Sequence, residues 1–129
     1  MSCDYEYTTS KEAEPRKSVL AEADKIINGQ RQDSYGNPED SFAIIRDYWD
    51  RYITEKIKQL CRETMTEELY NEVEDVVATQ FIIDSVDVAN MMILFKQARK
   101  LGQKPCRDNY VDSCGYEAIA ADRLIKWED

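Results

Sequence analysis

The chain contains no histidine. That absence removes Ser-His-Asp, Cys-His and histidine general-base mechanisms. Its four cysteines, Cys3, Cys61, Cys106 and Cys114, form no C-x-x-C pair. With no imidazole to complete a ligand set, zinc is not expected, and Cys106 and Cys114 read as reduced thiols near a helix start. Nothing in the sequence calls for haem or a dinucleotide cofactor. Glycine is scarce at four residues and proline at three, so no multi-glycine phosphate cradle is present. No run approaches the length of a membrane span, and Met1-Ser2-Cys3-Asp4 is no signal peptide, so a cytoplasmic location is the expectation. Positive charge is in deficit too. A net charge of −9 repels nucleic acid and anionic membrane as a whole, so neither DNA nor a membrane is an expected partner. Chemistry, if any, must rest on carboxylates, on Lys and Arg, or on a hard metal held by oxygen, which leaves Mg²⁺ as the cofactor the residues could hold.

What is present is helical. The 129 residues suffice for one domain with a core, and 43% hydrophobic content argues for a folded chain. Residues 1–14 show no period and read as a flexible N-terminal tail. Residues 15–129 read as a single all-α domain of about five helices. Pro15 can open the first, with Val19, Leu20, Ala23, Ile26 and Ile27 on one face and Gly29 as its stop. Asn37-Pro38-Glu39-Asp40 signals a second start, carried by Phe42, Ile45, Trp49, Tyr52, Ile53, Ile57 and Leu60. Thr64-Met65-Thr66-Glu67 resembles a capping box, and a third helix there would turn Leu69, Val73, Val76, Val77 and Phe81 inward. Asp84 or Ser85 caps a strongly apolar helix through Leu101, expected to be buried on most sides or to form a subunit contact. Asp108 is expected to cap the last helix, with Val111, Gly115, Ala118 and Ile119 on one stripe. No alternating strand pattern occurs.

Three polar clusters interrupt this pattern. In the loop, Arg31, Tyr35, Gly36 and Asn37 supply donors and a ring able to stack on a base, although Tyr35 equally suits a lid on the core. Lys96 and Arg99 share a helix face one turn apart. They serve either as cations at a helix C-terminus or as a phosphate site, with the Arg99 fork suited to bidentate binding. Asp108 and Asp112 stack four residues apart beside an apolar stripe. Two such carboxylates can hold Mg²⁺ or share a proton; the plainer reading makes Asp108 a cap and pairs Asp112 with an arginine. Gly115 allows another helix or a ligand close approach.

The segments RQDSYGNPEDSFAIIRDYW, DVANMMILFKQAR and RDNYVDSCGYEAI resemble a small, uncharacterised family common in phages and prophages. The likeness covers roughly residues 18–50 and 84–120, and residues 54–83 look like an insertion relative to shorter members. A weaker likeness is to the all-α MazG-like nucleotide pyrophosphohydrolases, which bind Mg²⁺ through acidic pairs on two helices. Their first acidic pair has no clear counterpart here, and Glu22, Asp87, or Glu72 with Asp75 would have to substitute. The first resemblance implies a phage-type protein, in the host cytoplasm if phage-encoded; the polar clusters, with the weaker likeness, point to binding of a nucleotide or related phosphorylated small molecule, and the apolar Ser85–Leu101 helix and the aromatics of the second helix point to a homo-oligomer. Arg31, Tyr35, Asn37, Lys96, Arg99, Arg107, Asn109 and Tyr116 would contact the ligand. Asp87, Asp108 and Asp112 would hold Mg²⁺, with Asp108 and Asp112 catalytic if a metal-bound water attacks a phosphoanhydride. Two alternatives stand beside hydrolysis. One is a non-catalytic sponge for cyclic immune-signalling nucleotides of the host, an anti-defence role; the other is an interaction protein that inhibits a host factor.

Overall fold

A computed structural model describes residues 18–29 and 36–128. Among these residues the chain forms five α-helices and no strand: α1 (Val19–Asn28), α2 (Pro38–Thr64), α3 (Glu67–Thr79), α4 (Ser85–Arg99) and α5 (Arg107–Ile119). One π-helical turn, Ala120–Leu124, follows α5. The tail 1–14, Pro15, Arg31 and Tyr35 lie outside the described residues.

The helix ends follow local chemistry. Ser18 caps α1, its hydroxyl accepting from the Ala21 amide, and Gly29 ends that helix. Pro38 sits in the first turn of α2, where its missing N–H costs nothing, and Glu39 and Asp40 face the positive end of the dipole. The third helix is capped by Thr66 rather than Thr64, through the Leu69 amide at 3.3 Å. Asp84 and Asp87 form a reciprocal capping box at the head of α4, each contact 2.9 Å long. The last helix departs from expectation. Its N-cap is Cys106, and Asp108 lies inside the first turn, where it complements the dipole without capping.

The central element is α5, which packs against both α1 and α4. It buries Asn109, Val111, Ser113 and Gly115, so its environment is protein on most sides. The main hydrophobic cluster joins Phe42, Val88, Ala89 and Ala120, with Ile45, Trp49, Ile83, Tyr116, Ile119 and Leu124 packed around it. The roles expected of two helices change. The apolar helix α4 buries only Val88, Ala89 and Lys96, and its Leu94 and Phe95 face outward, as does Leu101 beyond its end. Its hydrophobic residues encircle the axis, but α2 and α5 cover only one side. In α3 no residue is buried, and Leu69, Val76 and the nearby Phe81 are exposed rather than turned inward. The reason is architectural: α3 packs along the second half of α2 and has no comparable contact with the body. Arg46 stacks on the exposed Phe81 ring, 4.2 Å from its centroid.

The bend from α3 into α4 is fixed by a buried acid that the sequence pattern did not single out. The Asp50 carboxylate accepts from the backbone N–H groups of Ile82, at 2.6 Å, and Ile83, at 3.0 Å. Thr54, one turn on, donates its hydroxyl to the same carboxylate at 3.4 Å. Of the two cysteines read as thiols near a helix start, Cys114 is free, but Cys106 is disulfide-bonded.

Candidate functional site

The best-formed cavity lies between α1, the start of α2, and α5. Ala23, Ile26 and Ile27 form one wall; Gly36, Pro38, Ser41, Phe42 and Ile45 form the second; Val111, Asp112, Gly115, Tyr116 and Ile119 form the third. Its volume is about 340 Å³, within the range of small-molecule sites. The lining is mainly aliphatic and aromatic because α1 and α2 turn their apolar stripes toward α5. Gly115 brings the walls together. A Cβ placed there would stand 3.8 Å from the Ile27 side chain, so α1 approaches α5 to ordinary contact distance. The Phe42 and Tyr116 rings meet at 6.2 Å with a 45° tilt.

Asp112 supplies the charge in this wall. Its carboxylate is 2.8 Å from the Lys96 ammonium on α4, and the two side chains are only 9% and 8% exposed. Such a pair persists because each charge cancels the desolvation of the other. Two more polar groups of α5 are buried nearby in sequence: Asn109, and Ser113, whose hydroxyl has no hydrogen-bond partner. The interior thus carries a polar layer beside an apolar hollow.

The expected site residues divide. Asp112 and Tyr116 line the cavity, and Lys96 reaches it through Asp112. Asn109 is buried on the same helix. The others are elsewhere. Arg107 pairs with Glu22 of α1 at 2.8 Å on the exposed side. Arg99 lies 5.6 Å from the centroid of the Phe95 ring, one turn back on its own helix. Asn37 begins α2 without capping it through its side chain. The proposed metal set is not assembled: Asp87 is held in its capping box, Asp112 is bound to Lys96, and among the described residues no group of three carboxylates or thiols is placed to hold a metal. Among the described residues Asp112 pairs with a lysine, Lys96 of α4. Missing from the expectation were the walls, Ala23, Ser41 and Phe42 among them. Gly115 was their one visible signal, as a residue that permits close approach.

Comparison with known proteins adds a family to this geometry. Residues 18–124 match DUF6378, a domain of unknown function. The chain belongs to this family. The Gene 55 protein of Mycobacterium phage D29 is 30% identical over 100 residues, which cover 78% of this chain and 49% of that protein. The chain thus spans about half the length of that relative. No solved structure matches. The family and this relative fit the small uncharacterised phage family, and among the described residues no helix is long and apolar enough to cross a membrane.

Proposed function

We propose that this DUF6378 protein binds a nucleotide, or a related phosphorylated small molecule, by taking its ring into the cavity between α1, α2 and α5. The observation that carries the reading is one carboxylate, Asp112, set among the mainly apolar described residues that line a hollow of about 340 Å³. A heteroaromatic ring suits it: the faces lie against Ile27, Phe42 and Tyr116, and a ring or exocyclic N–H donates to the carboxylate. Lys96 holds that carboxylate in one orientation. The phosphates stay outside, because among the described residues the lining holds no cation.

Two features favour binding without turnover over a MazG-like hydrolysis. Asp112 is already engaged by Lys96, and Asp87 by the backbone at the head of α4. A metal at Asp112 would have to break a shielded ion pair. The sponge reading, in which the protein sequesters signalling nucleotides in a host cell, follows from the same geometry.

Calorimetric titration against mononucleotides and cyclic dinucleotides, in EDTA and again in Mg²⁺, tests this. Binding that is equal in both media, with the nucleotide recovered intact, is the expected result. Ser41→Trp, which fills the cavity from its α2 wall, abolishes binding while leaving the helical circular dichroism unchanged. Binding that persists in Ser41→Trp, or nucleotide cleavage that requires Mg²⁺, overturns the reading.

A further inference from the structure

The chemistry of Asp112 narrows which ring the cavity takes, given that a nucleotide base enters it. Among the described residues that line the cavity, Asp112 is the one charged group, and its side chain is 9% exposed. A carboxylate only accepts hydrogen bonds. Its two oxygens point the same way and offer about four acceptor positions. The Lys96 ammonium, 2.8 Å from Oδ2, takes one of them. Two remain for a ligand even with one further donor bound.

The common bases differ in what they present to a pair of acceptors. Guanine carries a ring N–H at N1 and an amino group at C2, adjacent on one edge and parallel. A carboxylate takes both, as it takes the two N–H groups of an arginine fork. Adenine and cytosine each set an amino group beside a bare ring nitrogen, so one lone pair faces a carboxylate oxygen. Uracil and thymine offer one N–H between two carbonyls. In a shielded site, an acceptor set against an acceptor leaves both without a donor, which costs more than a missing bond alone. The donor edge of guanine also lies across the ring system from the ribose. A base that enters with this edge first leaves its sugar and phosphates at the mouth, outside a lining that holds no cation among the described residues.

We propose that the cavity selects guanine. The N1–H and the C2 amino group donate to Asp112, Lys96 fixes the plane of the carboxylate, and the ring faces lie against Ile27, Phe42 and Tyr116. Asp112 is then the residue that sets base specificity. The proposal rests on the entry of a base into the cavity and goes beyond it by naming the base.

Calorimetric titration of the full chain in EDTA with GMP, IMP, AMP, CMP and UMP tests this, since all five carry the same phosphate. GMP binds most tightly. IMP lacks only the C2 amino group and binds about tenfold weaker or more, the loss of one hydrogen bond to a charged group. AMP, CMP and UMP are weaker than GMP by at least as much. A second arm changes the acceptor. The amide of Asp112→Asn donates one bond and accepts one, which matches xanthine, where a carbonyl at C2 stands beside the N1–H. In that variant XMP binds more tightly than GMP, the reverse of the wild type. Circular dichroism reports whether the variant is folded, and the wild-type series decides without it if it is not. IMP or AMP that binds as tightly as GMP, or a folded Asp112→Asn variant that keeps the wild-type preference, overturns the choice of guanine and leaves a base in the cavity. If none of the five nucleotides binds, neither the base in the cavity nor its identity survives.

Discussion

The Lys96–Asp112 pair gives the sharpest quantitative expectation. Both side chains are at least nine-tenths shielded and the contact is 2.8 Å, so removing Asp112 strands the Lys96 ammonium in a poorly hydrated place, and removing Lys96 takes a shielded counter-charge from the Asp112 carboxylate. Breaking a pair of this kind costs about 3–5 kcal/mol, against about 0–1 kcal/mol for an exposed pair. A domain of this size has roughly 5–15 kcal/mol of total stability, so either single change removes about a fifth or more. Lys96→Met and Asp112→Leu should each lower the urea midpoint accordingly. The melting temperature should fall by roughly 9–30 °C, taking about 3–6 °C per kcal/mol for a chain of intermediate length. The double variant Lys96→Met/Asp112→Leu removes both charges of the pair and fills the same space with apolar atoms, so it should be more stable than either single variant. The four proteins form a double-mutant cycle with a coupling of at least about 2 kcal/mol. Single losses below about 1 kcal/mol, or effects that simply add, would refute the argument. The carboxylate would then be hydrated and the pair no different from one on the surface.

Other expectations follow from individual contacts. Gly115→Ala should stabilise the chain by about 0.5–1 kcal/mol in urea titration, because the added Cβ meets Ile27 at an ordinary 3.8 Å and the helix loses its most flexible residue. The same methyl enters the cavity wall, so nucleotide affinity measured calorimetrically should fall as stability rises. Asp50→Ala should cost about 2–3 kcal/mol, since two backbone donors at the α3–α4 bend lose a charged acceptor, and Asp50→Asn should cost less because it keeps one oxygen. Hydrogen bonding from Arg123 holds the Glu39 carboxyl below its ordinary value of 4.5. A depressed folded-state value means that the pair's stabilisation is complete above that ordinary value and is lost as pH falls through the lowered one. Acid titration followed by circular dichroism should therefore show a smaller acid-induced loss of stability in Glu39→Gln than in the wild type.

Five helices were legible because their ends carry local signals. Gly29, Asn37-Pro38 and Asp84 act within one turn of the chain, and that chemistry does not depend on the fold. The breadth of each apolar stripe was legible as well, but not what covers it. Leu69 and Val76 have the same spacing whether another helix lies on them or not, and the pattern of Leu94 and Phe95 suits core or subunit contact alike; within this chain they face outward. The site was visible in part. Lys96, Asp112 and Tyr116 drew attention as polar groups beside apolar helix, yet no period links residue 96 on one helix to residue 112 on the next. Arg107 and Glu22 are farther apart still, and the bond between them depends on α1 lying against α5. Asp87 looked available as a metal ligand because the capping box that occupies it closes only once the α4 backbone is helical.

The position of α5 in the chain has a consequence for synthesis. It is the shared neighbour of α1 and α4, yet it leaves the ribosome after both of them. Until Ile119 has emerged, α1 has no surface to lie on, and the apolar stripe it displays is open to chaperones. The α2–α3 hairpin is made of neighbours in sequence and needs nothing that comes later, so it can assemble during translation while the body waits.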